Sequence, residues 1–543
     1  MRARHHHGPD SGTGRGVRRR SALARRVTLV ASVLVLGGTA AVSASGHGKS
    51  AAEPFRVTDF ATDPGWDGHD NRPTPDHPCR EATFDFGYRP ASNYAGSTPG
   101  EIGGTFTSST PYRAYYAMPL AGPLTLDSSL SASGTIDVLS RAHGSFSFGW
   151  FNRSGSTDWR VSDALVLHLT SVRVPFGQTP PPNSYAMFAA VGSRNYLSNG
   201  TKGSNAVLQF GQSYDWSLRY VPNGGDQGTG LISFTIGGQT GTVSVAPEVR
   251  KDGATFDRFG FLSTQAPRGG TVTAYVDDLV VNGQQVGFGS AADPRWEGYR
   301  NEHFASTDCY VAGRQNFGYV SDGGRSDLGS GAIGGIVWRP PAWYADRVGP
   351  LGLKDTLYAT GKIELEHATV DTSIWLGWFN SKRTIATVVN RRGQPQDVTS
   401  FDLVAAHMGS PTHWGYRFTP DVRNQVDVDQ TNRGQRAKSV FDSRLPALNP
   451  HGGVRRFWIC YVPDFDGKGN ARITTGLSAD PTVGLPAAVT RVVVPAQVVR
   501  GGATLDRFGI LSGSNAGKAM EVYVDDLRYT TGPGDRGVAG DCR

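Results

Sequence analysis

General acid–base catalysis needs a proton donor and a second carboxylate, and the chain offers both in its first hundred or so residues. Asp67, His69, Asp70, Asn71 and Arg72 stand close together, and Glu101 follows. Glu101 with Asp67 or Asp70 would supply the carboxyl pair of a glycosidic hydrolase. A lyase acting on a uronate needs other types: Arg72 or Asn71 to neutralise the carboxylate, and His69 or Tyr94 to move the proton. The same set suits plain binding, where planar polar groups hold hydroxyls and a ring stacks on the sugar. Tyr94, Tyr112, Tyr115 and Trp159 are the candidate platforms, although an aromatic residue is more often core. There is no G-x-S-x-G elbow for a serine hydrolase. Neither a phosphate-binding Gly loop nor a dinucleotide fingerprint is present, which excludes nucleotide enzymes.

These residues stand out because the chain contains its own control. Asp63-Pro64-Gly65-Trp66 recurs as Asp293-Pro294-Arg295-Trp296, and Asn71 recurs as Asn301, displaced by 230 positions. Gly149-Trp150-Phe151-Asn152 recurs as Gly377-Trp378-Phe379-Asn380, and Tyr220-Val221-Pro222 as Tyr461-Val462-Pro463. A unit this long is a whole domain with its own core, not a solenoid repeat. The reading is residues 1–44 as a leader, 45–56 as a linker, copy 1 over 57–285, copy 2 over 286–532, and a tail over 533–543. Framework residues persist between copies. His69, Asp70, Arg72 and Glu101 do not: they become Tyr299, Arg300, Glu302 and Ala332. Surface drift gives the same pattern, but a site kept in one copy also would. The expectation is therefore that glycan-directed chemistry belongs to copy 1, and that copy 2 binds or supports.

The elements that must position these groups are strands. Ser145 to Trp150 and Leu231 to Ile236 alternate polar and apolar residues, and Gly237-Gly238 marks a turn. The 71 glycines and 32 prolines favour many short strands. No stretch keeps a 3.6-residue period, so the fold class is all-β. Asp464-Phe465-Asp466-Gly467 reads as a hairpin turn and not as a calcium loop, since it lacks the remaining ligands.

Arg258-Phe259-Gly260-Phe261-Leu262 followed by Tyr275-Val276-Asp277-Asp278-Leu279, together with Trp216 to Pro222, resembles the concanavalin A-like lectin/glucanase superfamily. The resemblance covers the C-terminal half of each copy. It implies two tandem concanavalin A-like jelly-roll β-sandwiches and a polysaccharide or glycan partner. It leaves hydrolase, lyase and non-catalytic binding open. The superfamily's glucanase signature of closely spaced acids is missing; Lys362-Ile363-Glu364-Leu365-Glu366-His367 is the nearest approach. The resemblance also admits a structural calcium near the closing strand, with Asp278 and Asp526 as ligands. Against it stands the simpler reading of a solvated or hydrogen-bonded strand end.

An Arg-rich start, the apolar run Val27 to Leu36 and Ala41-Val42-Ser43-Ala44 read as an export leader cleaved after Ala44. Arg19-Arg20-Ser21-Ala22-Leu23 leaves Sec and Tat both open, because Ala22 stands where a twin-arginine motif prefers a bulky apolar residue. The expected location is extracellular, with no membrane span after cleavage. The leader holds eight Arg and one Asp, so the formal charge of +7 falls to 46 basic against 46 acidic residues without it. A nucleic-acid partner is excluded on that ground. Cys79, Cys309, Cys460 and Cys542 permit disulfides in an exported protein. Cys460 aligns with Arg219 and is expected to face solvent.

Overall fold

The computed structural model describes residues 55–72, 83–108, 114–155, 162–172, 178–201, 205–264, 270–288, 293–305, 315–321, 328, 331–338, 341–368, 373–382, 385–389, 395–399, 402–409, 415–424, 435–438, 444–450, 452–478, 488–512 and 519–533. The leader, Tyr112, Trp159, Cys79, Cys309, Cys542 and most of the tail lie outside them. Among the described residues no helix is long and apolar enough to cross a membrane.

The chain is all-β, and its described residues form four large antiparallel sheets. Alternation decides which face each strand buries: Leu231–Ile236 buries every second side chain, as its sequence pattern requires. Phe148, Trp150, Phe259 and Phe261 on one sheet meet Ile102, Ile136, Leu218 and Val276 on a second to form one core. Leu376, Trp378, Phe508 and Ile510 meet Ile363, Phe457, Ile473 and Val524 to form the other. Each pair of sheets is a sandwich, here given a front sheet and a back sheet. The first front sheet carries Tyr115–Thr125, Phe146–Phe151 and Thr255–Ser263; its back sheet carries Glu101–Ser108, Leu130–Ala142, Ser213–Val221 and Gly270–Val281. The second repeats this with Ala342–Leu351, Ser373–Phe379 and Leu505–Ser512 in front, and Ala332–Trp338, Leu357–Ala368, Arg455–Val462 and Ala519–Thr530 behind.

The sequence repeats and the sandwiches do not share boundaries. Phe55–Thr58 pairs with the last strand, Ala519–Thr530, and Asp67–His69 with Ala342–Leu351, so the start of copy 1 sits on the second sandwich. In return Glu297–Tyr299 pairs with Tyr115–Thr125, and Phe304–Ala305 with Thr83–Arg89, so the start of copy 2 sits on the first. Phe60 and Trp66 are buried in the second core and Trp296 in the first. The sockets match: Trp66 packs on Tyr344 at 5.7 Å and Trp296 on Tyr116 at 5.6 Å. Each segment is then locked by its asparagine. Asn71 Nδ2 donates to the Phe317 carbonyl at 2.6 Å, and Asn301 Nδ2 to that of Phe86 at 2.8 Å. The preceding Gly68 leaves room for this, since a Cβ there would stand 2.2 Å from Asn71 Oδ1.

Both sandwiches belong to one compact unit, Ala52–Arg543. Tyr196 of the first packs edge-on against Tyr416 of the second at 5.4 Å, and Asn449 Nδ2 donates to Asn195 Oδ1 at 2.6 Å. Cys460 is buried against Tyr358 and Trp458 instead of facing solvent, because flanking aromatic side chains cover its outward face. It is disulfide-bonded, and its partner lies outside the described residues.

Candidate functional site

The residues expected to form one site in copy 1 are divided between the two sandwiches. Glu101 lies on the first back sheet, is fully buried, and accepts backbone N–H groups from Tyr94 (3.0 and 3.1 Å) and Ala95 (2.8 Å). Its carboxylate staples the Tyr94 loop to the sheet. Tyr94 itself is half exposed, and its ring rests on Tyr275 at 4.7 Å.

Asp67 and His69 stand on the edge of the second front sheet. Asp67 accepts from Arg347 Nε at 2.6 Å and Arg507 Nη2 at 3.1 Å. The Arg347 bond, with the charges of both guanidiniums, holds its carboxyl below the usual range, so it is an ionised strut and not a proton donor. His69 stacks on Trp343 at 5.8 Å, and Asp70 lies 3.4 Å from His69 Nδ1 with a positive φ of 51°. Arg72 Nη2 donates to the Tyr319 carbonyl at 2.8 Å. Asn71 and Arg72 thus spend polar groups on the second sandwich's backbone, where the exchanged segment must be anchored.

Tyr115 stands opposite Tyr299, on the strand that receives the exchanged edge strand of the first sandwich. It donates to Glu297 Oε1 at 2.8 Å, and Glu297 Oε2 accepts from Arg258 Nε and Nη2 at 3.0 and 2.7 Å. Burial, with Glu297 beside it, pushes the Tyr115 hydroxyl up to about 12. Arg258 and Arg507 therefore clamp an acid carried in by the exchanged segment in both sandwiches. The sequence signal for this was the repeated Asp-Arg-Phe-Gly motif itself.

Asp278 and Asp526 sit in the same β-bulge of the two closing strands, with φ of 50° and 47°. A bulge inserts an extra residue, so the adjacent aspartates no longer simply alternate across the sheet. In the first copy Asp277 Oδ1 accepts the Asp278 N–H at 2.8 Å. In the second, Lys362 Nζ lies 2.6 Å from Asp526 Oδ2, an ammonium where a calcium ligand would need a metal. Among the described residues no group of three or more His, Cys, Asp or Glu is arranged to hold an ion.

A cleft of about 400 Å³ opens on the outer face of the second back sheet. Register builds it. Trp458 lies opposite Thr360, Thr360 opposite Arg528, and Arg528 opposite Val57, so four strands place one residue each in a single row. Thr360 is short between long neighbours, which makes the dip. Tyr358 and Arg456 flank the row, and Asp526 and Asp59 complete the rim. The wall at Val57 comes from the exchanged strand Phe55–Thr58, and Phe55 meets Tyr358 edge-on at 6.5 Å.

The first sandwich tests whether this is ordinary surface. At the positions of Tyr358, Trp458, Arg456 and Arg528 it has Ser131, Ser217, Asp215 and Val280, fixed by the matching ladders. Two aromatic rings and two guanidiniums have thus gathered on one outer face, where the other copy keeps small or acidic side chains. The two rings are buried against Cys460 and form the apolar wall of the dip, and the forked donors and a carboxylate around it can hold sugar hydroxyls. The sequence clue was Trp458-Ile459-Cys460 standing where copy 1 has Ser217-Leu218-Arg219.

No family model matches the chain, and no curated protein does. Among solved structures, the chain is similar to domains LG4-5 of the mouse laminin alpha1 chain at 12% identity, covering 80% of this chain and 92% of that one, with a TM-score of 0.22. It is similar to the marine PL-14 alginate lyase from Aplysia kurodai at 7% identity, covering 40% and 88%, with a TM-score of 0.26. The carbohydrate recognition domain of Emp47p is similar at 12% identity, covering 40% and 89%, with a TM-score of 0.20. These neighbours are concanavalin A-like jelly rolls. At such TM-scores the likenesses bear on neither the fold nor the activity of this chain.

Proposed function

We propose that the protein is an exported glycan-binding protein that holds a polysaccharide in the cleft on its second sandwich. The row Trp458–Thr360–Arg528–Val57 carries this reading: a ring, a hydroxyl and a guanidinium lie across neighbouring strands around one dip. Trp458 and Arg528 are two strand spacings apart, about 10 Å, so a ligand touching both spans more than one sugar ring. Glu101 supports a loop of the other sandwich, and the geometry gives it no part in the cleft.

Binding to a panel of soluble plant, algal and bacterial polysaccharides, measured by affinity electrophoresis, tests the reading. Trp458→Ala removes the ring that walls the cleft and is expected to weaken binding about thirtyfold, as loss of a hot-spot tryptophan does. Glu101→Gln is expected to leave affinity unchanged. Retained affinity in folded Trp458→Ala would place the glycan elsewhere.

A further inference from the structure

We infer that the cleft takes an anionic glycan, one bearing carboxylate or sulfate groups; this rests on the glycan-binding reading above. The observation is the charge placed at and beside the cleft. Where the first back sheet has Thr135, Asp215 and Val280, the second has Lys362, Arg456 and Arg528. Each of these three changes adds a cation, and at Arg456 an acid is lost as well.

Two of the acids that remain are placed so as not to cancel this. Asp526 is tied to Lys362 at 2.6 Å, and Asp525, on the same strand, is buried. Asp59 stands exposed at the rim. Arg528 is exposed at the opposite side of the row from Trp458, and its guanidinium lies over the Phe55 ring at 4.9 Å. Stacking on Phe55 restricts the side chain before any ligand arrives, which lowers the entropic cost of using it. A planar guanidinium on such a support matches the fork of a carboxylate or the oxygens of a sulfate, and Arg456 adds a second cation along the cleft. The sugar then rests against the cleft wall at Trp458 while arginine holds its charged substituent.

The test uses polymers in matched pairs. Polygalacturonate is compared with the same polymer after its carboxyls are reduced to alcohols, and a sulfated galactan with its desulfated form. The full-length protein, Arg528→Ser and Trp458→Ala are each measured at low and high salt. A charged polymer is expected to bind about tenfold or more tighter than its neutral twin, the size of one charge-assisted hydrogen bond, and salt should erode the difference. Arg528→Ser should shrink that preference, and Arg528 is exposed enough for the variant to keep its fold. Whichever pair shows the preference identifies carboxylate or sulfate. Equal binding of charged and neutral twins, lost in Trp458→Ala, would overturn the charge inference and leave the glycan reading standing. A preference untouched by Arg528→Ser would also overturn it. Binding to no polymer would overturn both.

Discussion

Asp277 and its counterpart Asp525 show what a buried acid costs at the scale of one residue. Burial first, then the neighbouring aspartate, pushes each carboxyl up to about 6. Unfolding returns it to the ordinary value of 3.8. The folded form therefore holds its proton more tightly, and the stability this confers is complete below pH 3.8 and lost as pH rises through about 6. Ionisation at neutral pH costs about 3 kcal/mol per site. Asp277→Asn keeps an acceptor for the Asp278 N–H and cannot ionise. It is expected to raise Tm at pH 7.5 and to match the wild type near pH 3, as thermal unfolding at both values would show. A variant less stable at both would mean that the carboxylate form is the one the fold requires.

At the scale of elements, the exchanged segments decide which stretch of chain can stand alone. A fragment spanning 83–305 keeps Trp296, Glu297 and Tyr299 on the first sandwich, whereas 57–285 lacks all three and leaves Tyr115 uncovered. Losing a buried tryptophan costs about 3–5 kcal/mol. The first fragment should unfold cooperatively and at the higher temperature in calorimetry; equal stability would show that residues 55–72 can fold back onto the first sandwich. The strands themselves were legible, since alternation and the paired motifs follow directly from residue order. Which sandwich each first segment would join was not, because Tyr116 and Tyr344 offer the same socket and Phe86 and Phe317 the same carbonyl. A pattern satisfied equally by two partners cannot name one. Glu101 was picked out by its absence from copy 2, yet a loop staple disappears as readily as a proton donor. The cleft was hidden for a different reason: Val57, Thr360, Trp458 and Arg528 are far apart in sequence and become neighbours only through strand register.

For the whole molecule, the exchange makes each sandwich depend on residues that the repeat assigns to the other. Trp66→Ala in the full-length protein is the direct check. The buried ring belongs to the second core, so hydrogen exchange should lose protection in peptides from Ala342–Leu351 and Ala519–Thr530. Tyr115–Thr125 and Phe146–Phe151 should keep theirs. Loss confined to the first sandwich would contradict the exchange.

The same arrangement sets an order on how the chain can finish folding during its synthesis. Residues 83–305 contain everything the first sandwich needs, so it can close as soon as they emerge. Phe55–Thr58, made earlier, has to wait for Ala519–Thr530, its partner near the far end of the chain. At ribosomal speeds of about 5–20 residues per second, that wait is on the order of half a minute or more. Any chain interrupted before 519 leaves Trp66 without Tyr529, one side of its pocket, and the wall of the cleft unbuilt. The earliest strand thus works as a receipt for Ala519–Thr530: the cleft exists only in molecules whose synthesis has passed that strand.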